Sequence, residues 1–172
     1  MALMASTRRE ADEQAFPWLI YVVSPVLALG LQSLVMLHFT RFGMIDLPLM
    51  VVIYFAMARR NPVTATVGGA IMGILQDALT HQPIGVFGIA KAFAGYVAAS
   101  LGVRIDTEAP GTRLVLTFFF MLLHNGIVWG LVRHLLIQPM AWGWLHELLR
   151  AAINSLIAVV LFALLDRLRL RE

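Results

Sequence analysis

The chain has 172 residues, of which 60% are hydrophobic and 13% charged, with a formal net charge of +3 and a mean hydropathy of +0.81. A water-soluble domain of this length carries more polar surface than that, and the absence of cysteine excludes disulfides, thiol catalysis and cysteine-bound metal. The apolar runs are long and continuous, without the every-second-residue alternation of a β-barrel. The expected fold class is therefore all-α, a polytopic membrane protein with six transmembrane helices in one compact bundle.

In chain order, residues 1–15 are polar and mixed in charge, and read as a cytoplasmic tail rather than a cleaved leader. The membrane domain is expected over residues 16–168. Its first span covers about Phe16–Phe39, with Pro25 inside it. The second, about Gly43–Ala58, is short for a membrane that takes about 20 helical residues to cross, and begins near Asp46-Leu47-Pro48. The third and fourth cover about Val63–Thr80 and Ile84–Val103, joined by a turn at His81-Gln82-Pro83. The fifth runs about Thr112–Leu136 and the sixth about Leu145–Leu168, leaving residues 169–172 as a second cytoplasmic tail.

Arginine sets the expected orientation. With both termini inside, nine arginines (Arg8, Arg9, Arg59, Arg60, Arg104, Arg113, Arg167, Arg169, Arg171) fall on the inner side and three (Arg41, Arg133, Arg150) on the outer. The positive charge thus serves topology and contact with anionic lipid rather than nucleic-acid binding. Trp142, Trp144 and His146 precede the last span, as an interfacial anchor would.

Two features stand out within the spans. Spans three and four carry small residues at helical spacing, Gly69 and Gly73 on one, Gly88 and Gly95 on the other, which lets helix backbones approach closely. By that reading Leu at Gly73 breaks the contact and Ala is mild. Each span also carries one charge, Asp77 and Lys91. A charge in a bilayer must face protein, water or a partner. Counted from the turn, the two differ in depth by only about 3–6 Å, so they are expected to pair across the hairpin or to meet a partner helix. A second polar set, His124, Asn125 and Asn154, is expected to hydrogen-bond between spans five and six. Gln32 and Gln76 read as lone polar groups bonded to neighbouring helices. No phosphate loop, nucleophile elbow, acid pair or metal motif is present in the sequence, so neither catalysis, cofactor nor metal is expected.

The segment GGAIMGILQDALTHQPIGVFGIAKAFAGYVA resembles the central signature of the MreD family of rod shape-determining membrane proteins. The likeness rests on Gly69, Gly73, Asp77, Pro83, Ile84-Gly85-Val86 and Gly95-Tyr96, and extends to Asp46-Leu47-Pro48 and the Arg59-Arg60 turn. Lys91 and His124-Asn125 are not carried over from it. The resemblance implies a bacterial inner-membrane component of the cell-wall elongation machinery. It implies an MreC-like single-span coiled-coil partner and, indirectly, an MreB-like filament, a RodA-type glycosyltransferase and a penicillin-binding transpeptidase. It also implies a fold similar to the substrate-binding subunits of ECF-type vitamin transporters.

The leading functional expectation is a non-enzymatic scaffold, with the partner near the outer half of spans three and four. The alternative is a substrate-binding subunit of a small-molecule transporter, which needs an outward pocket with several converging polar groups.

Overall fold

The structure is a computed structural model that describes residues 17–38, 44–107 and 109–168; the expected tails at 1–15 and 169–172, and Arg41, lie outside the described residues. The described residues form six helices: α1 Trp18–His38, α2 Leu47–Arg59, α3 Pro62–Thr80, α4 Val86–Gly102, α5 Pro110–Gly130 and α6 Trp144–Asp166. α5 continues into one π-helical turn, Leu131–Leu135. The breaks follow local chemistry. Arg60, in the left-handed region at φ 52°, ends α2, and the Asn61 side chain accepts the Val63 and Thr64 N–H groups to start α3 with Pro62 in its first turn. His81, at φ 54°, ends α3, and Gly85, at φ 103°, admits the chain to α4.

Three helices are long and apolar enough to cross a membrane: α3, α5 with its π turn, and α6. The apolar stretches Trp18–Leu34, Leu47–Arg59 and Val86–Gly102 are shorter. The six expected helices are present among the described residues, but three of them, rather than six, have the length and apolarity to cross a membrane. The shortfall is clearest in α2, whose 13 residues rise about 20 Å against a hydrocarbon core of about 30 Å.

α2 is short because it is internal. It touches all five other helices, and ten of its 13 residues are buried. Leu49, Met50 and Ile53 are fully enclosed by a layer that includes Ala94 and Ala98 of α4, Met121 of α5, and Ala151, Ala158 and Phe162 of α6. The alanines at helical spacing make room for the large side chains of α2. The outer faces are apolar in the opposite sense: Val67 and Ile71 of α3, Val22 and Val26 of α1, and Leu156 and Val160 of α6 are all more than half exposed.

α3 and α4 share the most extensive contact in the bundle, and glycine makes it possible. A Cβ at Gly69 would lie 2.4 Å from the Lys91 carbonyl oxygen, one at Gly73 2.3 Å from that of Phe87, and one at Gly95 2.7 Å from that of Ala65. The two ladders face each other's backbone. The expectation that alanine is mild at Gly73 is corrected here, because a methyl group alone meets a carbonyl that cannot swing aside. Gly68, one residue before Gly69, has nothing within 4 Å of a built Cβ. Gly73→Ala is expected to destabilise the protein by about 1–3 kcal/mol through overpacking, whereas Gly68→Ala stabilises it by up to about 1 kcal/mol through helix propensity. Reversible unfolding in mixed detergent micelles measures both, and equal stabilities for the two variants would contradict the contact.

Candidate functional site

A helix that begins inside a bundle leaves backbone groups that no water can satisfy. Polar side chains of α1 and α6, with the residue that precedes α2, meet this need where the chain enters it. Gln32 of α1 donates to the Ile45 carbonyl at 2.7 Å and accepts the Leu47 N–H at 3.2 Å. Asn154 of α6 accepts the Asp46 N–H at 2.9 Å and donates to the Met44 carbonyl at 2.7 Å. Arg150 of α6 donates its Nε–H to the same carbonyl at 3.2 Å. Asp46 is the N-cap and accepts the Leu49 N–H at 3.0 Å. Asn154 therefore serves the approach to α2, not α5 as expected from the sequence. Gln32 is hydrogen-bonded as expected.

The cap brings a carboxylate into the core, and Lys91 of α4 answers it. Lys91 Nζ donates to Asp46 Oδ2 at 2.7 Å, with side chains 0% and 3% exposed. Phe87 lies with its ring centroid 5.4 Å from the ammonium. Lys91 Nζ also lies 3.5 Å from His124 Nε2, and His124 Nδ1 lies 3.2 Å from Asn125 Oδ1. An ammonium can only donate, so the network assigns His124 the tautomer with its proton on Nδ1. Asn125 Nδ2 then donates to Glu147 Oε2 of α6 at 2.8 Å. All donors point the same way, from Lys91 through His124 and Asn125 to Glu147. His146, whose side chain is 57% exposed, stands 3.3 Å from the other Glu147 oxygen. A hydrogen bond does join α5 and α6, but it runs from Asn125 to Glu147 and not to Asn154, which corrects the expected pairing.

Asp77 and Lys91 do not pair, which corrects the expected ion pair across the hairpin. Asp77 is fully buried and turns to the start of α4, where it accepts the N–H groups of Gly85 at 2.8 Å, Phe87 at 3.1 Å and Gly88 at 3.4 Å. Three donors and the positive end of the helix dipole satisfy its charge. Both short internal helices thus begin on a carboxylate, α2 on its own Asp46 and α4 on the Asp77 of its neighbour.

At the arginine-rich end, Arg113 of α5 donates from Nε to the Thr107 carbonyl at 2.7 Å and pairs with Asp166 of α6, which also accepts the Tyr54 hydroxyl of α2 at 2.8 Å. Sequence reasoning missed this clasp, since Arg113 and Asp166 sit at helix ends far apart in the chain. It also missed Asp46 and Glu147 as interior groups. The signal for Asp46 was available: an Asp with Pro two residues on, inside an apolar run, marks a helix start. Gln76 is buried, but its side-chain oxygen finds no partner among the described residues, contrary to expectation.

An apolar exterior, three helices of membrane-crossing length, and polar side chains that satisfy backbone ends within the bundle define a helical membrane protein. The sequence pattern of the family described as rod shape-determining protein MreD matches residues 12–169. The chain belongs to that family, as the Gly69–Tyr96 segment led one to expect, and so to proteins with a role in rod shape determination. No curated protein and no solved structure matches the chain.

The buried pair makes a quantitative expectation. Lys91→Met strands the Asp46 carboxylate and should cost about 3–5 kcal/mol. Adding Asp46→Asn, which keeps the cap, should recover much of that loss. Asp77→Asn combined with Lys91→Met should instead be close to additive. Thermal unfolding of the single and double variants in detergent gives both coupling energies, and a larger coupling for Asp77 with Lys91 would refute the assignment.

Proposed function

We propose that this protein is a non-enzymatic scaffold of the rod-shape machinery in the bacterial inner membrane. It binds an MreC-like single-span coiled-coil protein and so helps to control peptidoglycan synthesis and cell shape. Through that partner it connects to an MreB-like filament, a RodA-type glycosyltransferase and a penicillin-binding transpeptidase. In this reading the helices form a six-span arrangement similar to the ECF transporter subunits. Both termini and the Arg59-Arg60 turn face the cytoplasm, with Trp142 and Trp144 at the outer interface. The observation that carries the reading is the family match over residues 12–169.

Asp77, Lys91 and the glycines 69, 73, 88 and 95 then act structurally, since α3 and α4 occupy each other's ladders. The partner helix takes a different seat. α1 and α3 stand apart over α2 and leave an apolar groove of about 380 Å³, lined among others by Pro25, Val52, Phe55, Gly68 and Met72. Close approach by a transmembrane helix needs a small residue at the contact, and Gly68 offers one with open space above it.

The alternative, a small-molecule transporter subunit, draws on one observation, a polar cleft at the tryptophan end of the bundle. Co-expression with the partner and affinity capture in mild detergent separates the two. The scaffold reading predicts stable co-purification, reduced about tenfold, or about 1.4 kcal/mol, by Gly68→Leu with no loss of thermal stability in the isolated protein. Failure of the wild-type protein to retain the partner would refute it.

A further inference from the structure

The cleft at the tryptophan end encloses about 330 Å³ between the α3–α4 turn, the α5–α6 connection and the first turns of α6. Its volume lies at the lower end of the range for small-ligand sites. Its walls hold opposite charges that do not meet. Glu147 and Arg150 are three residues apart on α6, a spacing at which such side chains ordinarily pair. Here Arg150 is drawn towards the Met44 carbonyl and Glu147 towards Asn125 and His146, and no ion pair joins them. Arg150 uses only its Nε–H within the protein, so its two Nη groups have no partner among the described residues. The indole N–H of Trp142, on the same wall, is buried and also without a partner among them.

Unused donors on one side and a carboxylate on the other describe a dipolar receptor. The donors suit an anionic group, bidentate to the guanidinium. The carboxylate suits an ammonium. We infer that this cleft binds a small zwitterion in which a phosphate or carboxylate is joined by a short linker to a primary ammonium. Arg150 and Trp142 hold the anion, and Glu147 holds the ammonium. A phosphoethanolamine unit has this chemistry, and could come from a soluble metabolite or from the headgroup of an ethanolamine phospholipid. Bound there, it would contact Asn125 and Glu147, the last members of the hydrogen-bond chain that begins at Lys91. The inference does not depend on the partner protein, so it stands or falls separately from the scaffold reading.

The test uses the full chain purified in maltoside detergent. In one arm, O-phosphoethanolamine is titrated by calorimetry, beside inorganic phosphate and ethanolamine as separate probes. In the other, native mass spectrometry compares lipid retention from bilayers of phosphatidylethanolamine with that from phosphatidylcholine, whose quaternary ammonium cannot hydrogen-bond to Glu147. The expected result is saturable binding of the zwitterion, or selective retention of the ethanolamine lipid; the first arm identifies a soluble source and the second a membrane one. Glu147→Gln, which preserves shape, and Trp142→Phe, which keeps an aromatic ring but removes the indole N–H, should each weaken the effect about tenfold. Absence of both soluble binding and lipid selectivity, or equal binding by wild type and both variants, would overturn the inference.

Discussion

A single buried ion pair, Lys91 with Asp46, is the contact on which the rest of the bundle depends. It exists because α2 begins inside the protein. The chain enters the core at Met44–Leu47, and four side chains, from Gln32, Asp46, Arg150 and Asn154, satisfy the exposed backbone. One of them is a carboxylate, and a carboxylate away from water requires a cation. The cation comes from α4, so the same contact that caps α2 also ties it to the α3–α4 hairpin. The pair contributes less by its own attraction than by the cost of separating it. It therefore acts as a determinant of register: moving α2 along α4 would strand both charges.

The α3–α4 hairpin is the rigid body against which this happens. Backbone-to-backbone contact at Gly69, Gly73 and Gly95 brings the Lys91 main chain against α3, and Asp77 reaches across the turn to anchor the start of α4. Lipid offers little to drive helices together, and close packing with internal hydrogen bonds substitutes for the hydrophobic effect. The consequence for function is that the small-residue faces most suited to another helix are already filled from within. What remains for partners is the exterior, above all the groove between α1 and α3, and the cleft beside Trp142.

Much of this was readable before the fold was known. Apolar runs located all six helices, and the paired glycine ladders identified the α3–α4 contact. Proximity in depth, however, misassigned the charges. Asp77 and Lys91 lie at similar distances from their shared turn, yet Asp77, near the end of α3, reaches across that turn to three N–H groups at the start of α4 without needing a lysine. Lys91 instead meets a residue 45 positions earlier. No local pattern encodes that separation. Glu147 and Asp166 were passed over for the same reason: each looks like an ordinary helix-end acid until Asn125 or Arg113 is placed against it. The family, by contrast, was legible, because the signature lies in one continuous segment whose glycines and turn are local requirements.

The proposed scaffold role rests on the family match, and the use of the polar groups agrees with it. Most are committed to holding short internal helices in place, which gives a stiff body with an apolar surface. The central claim is that Lys91 holds α2 in the bundle. Hydrogen–deuterium exchange in detergent tests it most directly. In the wild-type protein the amides of Leu49–Tyr54 should be among the most protected in the chain, and in Lys91→Met they should exchange far faster while the α3–α4 amides around Gly73 keep their protection. Unchanged protection of α2 in that variant, or equal loss throughout the molecule, would contradict the account.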